Sequence, residues 1–328
     1  MLAALLALAV PLAPGRAGAQ ASNRAEPYRI GVIPDMLPGR RELIEHALRQ
    51  VGWTAGTDYV LVQSGIPTGF EIERSIRRVV DGRPDLILAS ITGYTLVAQR
   101  LTSTIPIVMW TSGYPVEAGL ARSLARPGGN VTGLAIYAGT EVFGKLLELL
   151  RDVKPGVRRV GVLWTYVPPF HPKEEIDPCY RELREAALRL GLELRLWEVD
   201  DPGRVRAVLD AVAAEDMHAL LLTSGAPTVA HRAEIARFAI DRRLPTIADF
   251  SWPGIEPQPL LRYSPSAPAL LRQAANYVDR ILRHGVAPGE LPIQRPAKFE
   301  LEVNTRTARA LGLDLPSSIL LRADRAID

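Results

Sequence analysis

Six short stretches hold most of the residues able to do chemistry: "PDMLPG", "SITGYT", "WTSGYP", "TYVPPFHP", "TSGAPT" and "DFSWPG". They are rich in hydroxyls and bulky aromatics and poor in charge. Ser90 and Thr92 fall where a predicted strand ends and a helix begins. Free backbone N–H groups there, with a hydroxyl beside them, attract a carboxylate. Ser and Thr are also the preferred helix caps, and one loop can serve both purposes. Ser224, in "LLTSGAP", reads either as a nucleophile or as a hydroxyl donor to a ligand. Trp110, Trp164 and Trp252 lie at or just beyond strand ends, with Tyr94, Tyr114, Tyr166, Phe170 and Phe250 nearby. Each ring has two readings, pocket wall or packing between domains. Apolar walls with a few placed polar groups suit a small organic ligand.

Catalytic patterns are absent elsewhere. The five histidines (His46, His171, His218, His231, His284) form no H-x-x-x-H pair, and there is no G-x-S-x-G elbow. The single cysteine, Cys179, forms neither an internal disulfide nor a cysteine-based zinc site. In the polar stretch "EEIDPCYRE" it reads as incidental, with Glu174 and Glu175 as solvated charges beside a proline-rich loop. "LARPGGNVTGLA" (Leu124–Ala135) resembles a phosphate loop at first sight, but its glycines precede a strand and no G-K-[ST] follows. It reads as a turn. No metal or other cofactor is implied.

The elements that must position these loops alternate. Strands are predicted at "YRIGVI", "YVLVQ", "DLILA" and "IPIVMW", with helices at "RRELIEHALRQVG", "FEIERSIRRVV", "TGYTLVAQRL" and "EAGLARSL". After "VTGLAI" the pattern repeats. The strands are now "RRVGVLW", "LELRLWEV", "HALLLTSG" and "LPTIADF", and the helices "YRELREAALRLG", "RVRAVLDAVAA" and "AHRAEIARFAI". Strands separated by single helices pair in parallel, so the fold class is α/β with two doubly wound parallel-sheet lobes. In such sheets the strand carboxyl ends form the ligand crevice, and all six stretches fall there. The end differs: "LLRYSPS" (strand), "APALLRQAANYVDRILRHG" (helix), extended "LPIQRPAKFELEVN", then "TRTARALGL" (helix). One helix and one strand there can return to the first lobe and cross back, giving a multi-crossing hinge. The expected division is 27–137 plus about 265–294 for lobe 1, and 138–264 plus about 295–328 for lobe 2.

A length of 328 residues suits two domains. The net charge is only +3, and no dense basic run with interleaved aromatics appears, which argues against a nucleic-acid partner. The N-terminal "MLAALLALAVPLAPGRAGAQ" has an apolar run too short to span a bilayer. Ala17-Gly18-Ala19 fits a signal-peptidase site, so 1–19 is expected to be a signal peptide, although no positive charge precedes the apolar run.

The stretches "STIPIVMW", "LARPGGNVTGLA", "KLLELLRDVKPGVRRVGVLW", "LPTIADF" and "LPIQRPAKFELEVNTRTARALGLDLPSSILLRADRAID" resemble one family. It is that of ABC-transporter substrate-binding proteins of the tryptophan/tyrosine-binding type, with the type I periplasmic-binding fold. The resemblance covers essentially the whole chain after the leader. It implies a non-enzymatic, monomeric periplasmic receptor that closes on a small ligand and delivers it to an ABC permease in the inner membrane. Ser90 and Thr92 correspond to the family's small-hydroxyl turn, Thr165 to the loop opening lobe 2, and Asp249 to the acid after "PTIA". On this reading Ser90 and Thr92 hold a ligand anion and Asp249 a cation, with the aromatics against the side chain. The expected ligand-binding set is Asp35, Ser90, Thr92, Trp110, Tyr114, Thr165, Ser224, Asp249 and Trp252. Three departures fall at the predicted cleft. Tyr114-Pro115-Val116 stands where the family often has D-P-V, Thr165-Tyr166 where it has N-P, and Pro257-Gln258-Pro259 where it tends to glycines. A sensing subunit of a membrane receptor, or an exported hydrolase using Ser224 or Cys179, are the alternatives.

Overall fold

The computed structural model describes residues 26–33, 39–63, 72–137, 141–165, 173–223, 225–250 and 258–328. The leader lies outside these, as do Asp35, Ser224 and Trp252. Lobe 1 begins β1 (Tyr28–Ile33), α1 (Arg40–Gln50), β2 (Tyr59–Gln63), α2 (Ile72–Asp81), β3 (Leu86–Ala89) and α3 (Thr92–Leu101). It continues with β4 (Ile107–Ser112) and β5 (Val131–Ala135). Lobe 2 follows: α4 (Val142–Val153), β6 (Arg159–Thr165), α5 (Lys173–Leu190), β7 (Glu193–Val199), α6 (Val205–Ala213) and β8 (Ala219–Leu222). After it come α7 (Ala226–Ala230), α8 (Arg232–Asp241), β9 (Thr246–Ala248) and β10 (Leu261–Pro265). The chain ends with α9 (Ala267–Leu282), β11 (Phe299–Asn304), α10 (Thr305–Leu311), α11 (Ser317–Arg322) and β12 (Arg325–Ile327).

Sheet 1 runs β2-β1-β3-β4-β5, all parallel. Sheet 2 runs β7-β6-β8-β9-β10 in the same parallel pattern and adds β11, antiparallel to β10, and β12. The central strands "LILA" and "ALLL" are buried at every position, as strands covered by helices on both faces must be. In each lobe the order reverses between the first and third strands, which places a crevice at the carboxyl ends of β1 and β3 and of β6 and β8.

The two lobes are interleaved. β10 belongs to sheet 2, but the helix that follows it packs Leu270, Leu271, Ala274 and Val278 against Ile30, Leu86 and Trp110 of lobe 1. Ile293 and Gln294 then hydrogen-bond to the backbone of Leu124 and Gly133 before β11 rejoins sheet 2. The chain therefore crosses between β5 and α4, between β10 and α9, and between Gln294 and Phe299.

"LARPGGNVTGLA" is the turn into β5, and its demanding glycine is inside the strand. Gly133 has φ +129°, and a Cβ there would stand 1.9 Å from the Met109 carbonyl oxygen. The β4–β5 register shifts beside it, between Met109 and Ser112. Gly128 also has a positive φ, and its N–H donates to Gly289 O at 3.1 Å.

Two expected helices are corrected, and Glu174, Glu175 and Cys179 are placed. "EAGLARSL" is a single turn, because Pro115 opens it and Gly119, at φ +78°, ends it. "AHRAEIARFAI" is split at His231 into α7 and α8. Glu174 and Glu175 belong to α5, which starts at Lys173 and carries Pro178 inside it. Cys179 is buried in the lobe 2 core beside Phe143 and Leu183, so it fills space there.

Candidate functional site

At the crevice of lobe 1, Ser90 follows β3 and its N–H donates to Ile33 O at the end of β1 (3.1 Å). Thr92 begins α3 and is 1% exposed. Its Oγ1 accepts the Gly113 N–H at 3.1 Å and pairs with Ser112 Oγ at 2.8 Å, tying the helix start to the end of β4. The N-cap residue, Ile91, makes no side-chain cap bond, and the first turn carries no acidic residue. The positive end of the helix dipole is thus not neutralised by the helix itself, which suits an anion. Tyr94, in the same turn, has its phenol pushed up to about 12 by burial, so it is neutral at physiological pH.

Lobe 2 places a different cluster at the equivalent crevice. Thr165 ends β6, Thr223 follows β8, and Thr228 lies in α7. The Thr165 N–H donates to Thr223 Oγ1 (2.9 Å), and Thr165 Oγ1 lies 3.1 Å from Thr228 Oγ1. The Thr228 hydroxyl reaches the carbonyls of Thr223 (2.9 Å) and Gly225 (3.0 Å). Gly225 approaches so closely that a Cβ would stand 1.9 Å from Thr165 Cγ2. These three hydroxyls satisfy buried backbone groups and lock two strand ends to a helix.

Asp249 follows β9 and is 6% exposed. Its N–H donates to Leu222 O (3.3 Å), and its Oδ2 accepts the Tyr137 hydroxyl at 3.0 Å. Tyr137 stands where the chain leaves lobe 1. Its ring opens an aromatic row through Phe143 (5.3 Å), Trp164 (5.6 Å from Phe143) and Tyr180 (4.5 Å from Trp164). Asp249 is thus a buried acid at a strand end of lobe 2, anchored by a tyrosine from the segment that leaves lobe 1.

Two expected ligand residues have other surroundings. Trp110 faces the α1–α9 side of sheet 1, in the core with Val108 and Leu134, and Arg40 lies over its ring at 4.6 Å. Alternation along β4 explains this: Ile107 and Met109 pack on the opposite side, so strand parity sends Trp110 into the helix layer. Tyr114 reaches out of lobe 1 into the lobe 2 core, and its hydroxyl donates to Glu182 Oε2 at 3.0 Å. Residue-by-residue reading missed Ser112, Tyr137, Glu182, Thr223 and Thr228. Ser112, Thr223 and Thr228 lie inside the stretches "WTSGYP" and "TSGAPT", where the position after a strand was the available signal. Among the described residues, no group of three or more His, Cys, Asp and Glu is placed to hold a metal. No helix among them is long and apolar enough to cross a membrane.

Several known proteins are similar to this chain in sequence or in fold. The chain is similar to a tyrosine-binding protein of Clostridioides difficile (strain R20291), with 24% identity over 291 residues, covering 84% of this chain and 80% of that one. Its fold matches that of an ABC domain in complex with L-Trp from Streptococcus pneumonia, at a TM-score of 0.79 and 17% identity, covering 92% and 100% of the two chains. It also matches a conserved domain protein of Vibrio cholerae, at a TM-score of 0.78 and 22% identity over 92% and 100% of the chains. A family model described as ABC transporter substrate binding protein matches residues 41–327. The chain therefore belongs to the ABC transporter substrate-binding proteins, which bind small molecules and are not enzymes.

Proposed function

We propose that this protein is the extracytoplasmic receptor of an ABC importer for an amino acid, an aromatic one by preference. It closes its lobes on the ligand and delivers it to a membrane permease. The observation that supports this reading is the α3 start, which has no side-chain cap and no acid in its first turn, together with a buried acid, Asp249, at a strand end of lobe 2. On this reading the α3 start, with Ser90 and Thr92, receives the ligand anion, and Asp249 receives its cation. A zwitterion satisfies both only when it touches both lobes, so binding favours closure by differential affinity. Thr165 and the loops carrying Asp35, Ser224 and Trp252 complete the proposed site. The tyrosine-binding relative and the L-Trp-bound fold relative support an aromatic side chain. The apolar leader at 1–19 supports export to the periplasm, with the mature protein acting as a monomer.

Calorimetric titration with L-tyrosine and L-tryptophan tests the reading. A charge-assisted hydrogen bond contributes about 1.5–3 kcal/mol, so Asp249→Asn and Thr92→Ala should each weaken binding by roughly tenfold to a hundredfold. Unchanged affinity in both variants would mean that the cleft holds its ligand elsewhere.

A further inference from the structure

The loop after β4 sends one side chain across the boundary between the lobes. Tyr114 belongs by backbone to lobe 1. Its neighbours Ser112 and Gly113 are bonded to Thr92, and the turn that starts at its own carbonyl ends at Leu120, which lies in a lobe 1 core and whose carbonyl accepts from Gln99. Its ring nevertheless lies in the lobe 2 core with Val142, Phe143 and Cys179, and is only 8% exposed. The hydroxyl donates to Glu182 Oε2, and Glu182 Oε1 accepts the Phe143 N–H at 3.1 Å.

Phe143 lies in the first turn of α4, immediately after the first crossing. That helix has no side-chain cap of its own. Its N-cap residue Glu141 sits at φ +50°, and no acid occupies the first turn. Glu182, from α5, therefore supplies the acidic cap, and Tyr114, from lobe 1, holds that cap in place. Burial raises the Glu182 carboxyl above the usual range, and Glu141 raises it further. Arg189 and the bonds to Tyr114 and Phe143 oppose the shift.

We infer that Tyr114 is a side-chain pivot of the hinge, a positioning residue that acts through Glu182 and the start of α4 to hold the first crossing in place while the cleft opens and closes. Rotation about the crossings breaks contacts far from the axis and preserves contacts close to it. A buried pair next to the first crossing is of the second kind, and it fixes where lobe 2 begins relative to lobe 1. The sequence departure at 114 thus serves the hinge rather than the ligand. Its effect on affinity rests on the receptor reading; its effect on the empty protein does not.

The test uses Tyr114→Phe, which keeps the ring and removes the hydroxyl, together with Glu182→Gln and the double variant. Without ligand, amide exchange at 141–145 should accelerate about tenfold in Tyr114→Phe, the loss expected for a hydrogen bond to a charged group. Exchange in α9 should stay at the wild-type rate, and the radius of gyration from X-ray scattering should increase. The two single changes should not add, because they break one unit. Wild-type exchange and scattering in both variants would overturn the inference. So would acceleration spread evenly through both lobes, the mark of general destabilisation. If L-tyrosine and L-tryptophan fail to bind the wild type, the proposed ligand class falls while these ligand-free results still decide the pivot.

Discussion

Beside the carboxyl ends of β1 and β3, lobe 1 sets Ser90 and Thr92 with Ser112 from the end of β4 around a helix start. At the same place in the strand order of lobe 2, the ends of β6 and β8 carry Thr165 and Thr223, joined by Thr228 from α7. Both clusters are buried hydroxyl groups at a topological switch point, yet they are built for different tasks. In lobe 2 the hydroxyls are turned inward on one another and on backbone groups, and Gly225 packs flat against Thr165. In lobe 1 a single hydroxyl pair braces the first turn of α3, where Ile91 makes no side-chain cap bond and the turn itself carries no acid. Equivalent topology therefore yields an inward-bonded knot on one side and, in the function proposed above, a receptive helix end on the other. In that proposal lobe 2 offers its charge one strand further along, at Asp249.

Changes in the two clusters should separate stability from affinity. The largest effect is expected at Gly225→Ala, whose new methyl carbon meets the side chain of Thr165 at 1.9 Å. Overpacking of that kind costs about 3 kcal/mol or more, read as a fall in denaturant midpoint or a loss of folded protein. Next comes Thr228→Val, which strips partners from the carbonyls of Thr223 and Gly225. It should cost about 1–3 kcal/mol by thermal unfolding, with little change in amino-acid affinity among molecules that remain folded. Thr92→Val should reverse that balance, with a stability loss of about 1 kcal/mol and a greater loss of affinity for L-tyrosine or L-tryptophan. Equal losses of affinity in Thr228→Val and Thr92→Val would erase the distinction between knot and receptive end.

The smallest effect concerns the seam between the lobes. The Glu182 carboxyl is raised above its ordinary value of 4.5, chiefly by burial. A group raised in the folded state contributes its stability in full at pH below the unfolded value and loses it as pH rises through the folded value. The stability of wild type relative to Glu182→Gln should therefore decrease from acidic to neutral pH. A difference that is flat with pH, measured by chemical unfolding, would mean that this carboxyl titrates normally.

The alternation of strands and helices was legible because apolar runs of strand length and helical spacing are distinct signals, and the crevice follows from topology. Ser90 and Thr92 were legible as candidates because they lie in such a crevice. Trp110 was named with them, but a strand buried on both faces gives no periodic signal of which face a ring takes, and its ring lies in the helix layer. Tyr114 was read as a departure at the cleft, because its partner Glu182 lies 68 residues away in the other lobe. "EAGLARSL" has helical spacing, but Pro115 and Gly119 confine it to one turn.

The interleaving of the lobes also has a consequence in time. The core of lobe 1 includes Leu270, Val278 and Leu291, and the outer strand of lobe 2 is Arg325–Ile327. A chain emerging from its N-terminus cannot finish the first lobe until nearly nine-tenths of it has been made, nor the second until the last few residues. Neither half can mature early as an independent unit. A chain of this design stays incompletely folded through most of its synthesis, which, under the export proposed above, would keep it threadable until it had crossed the membrane.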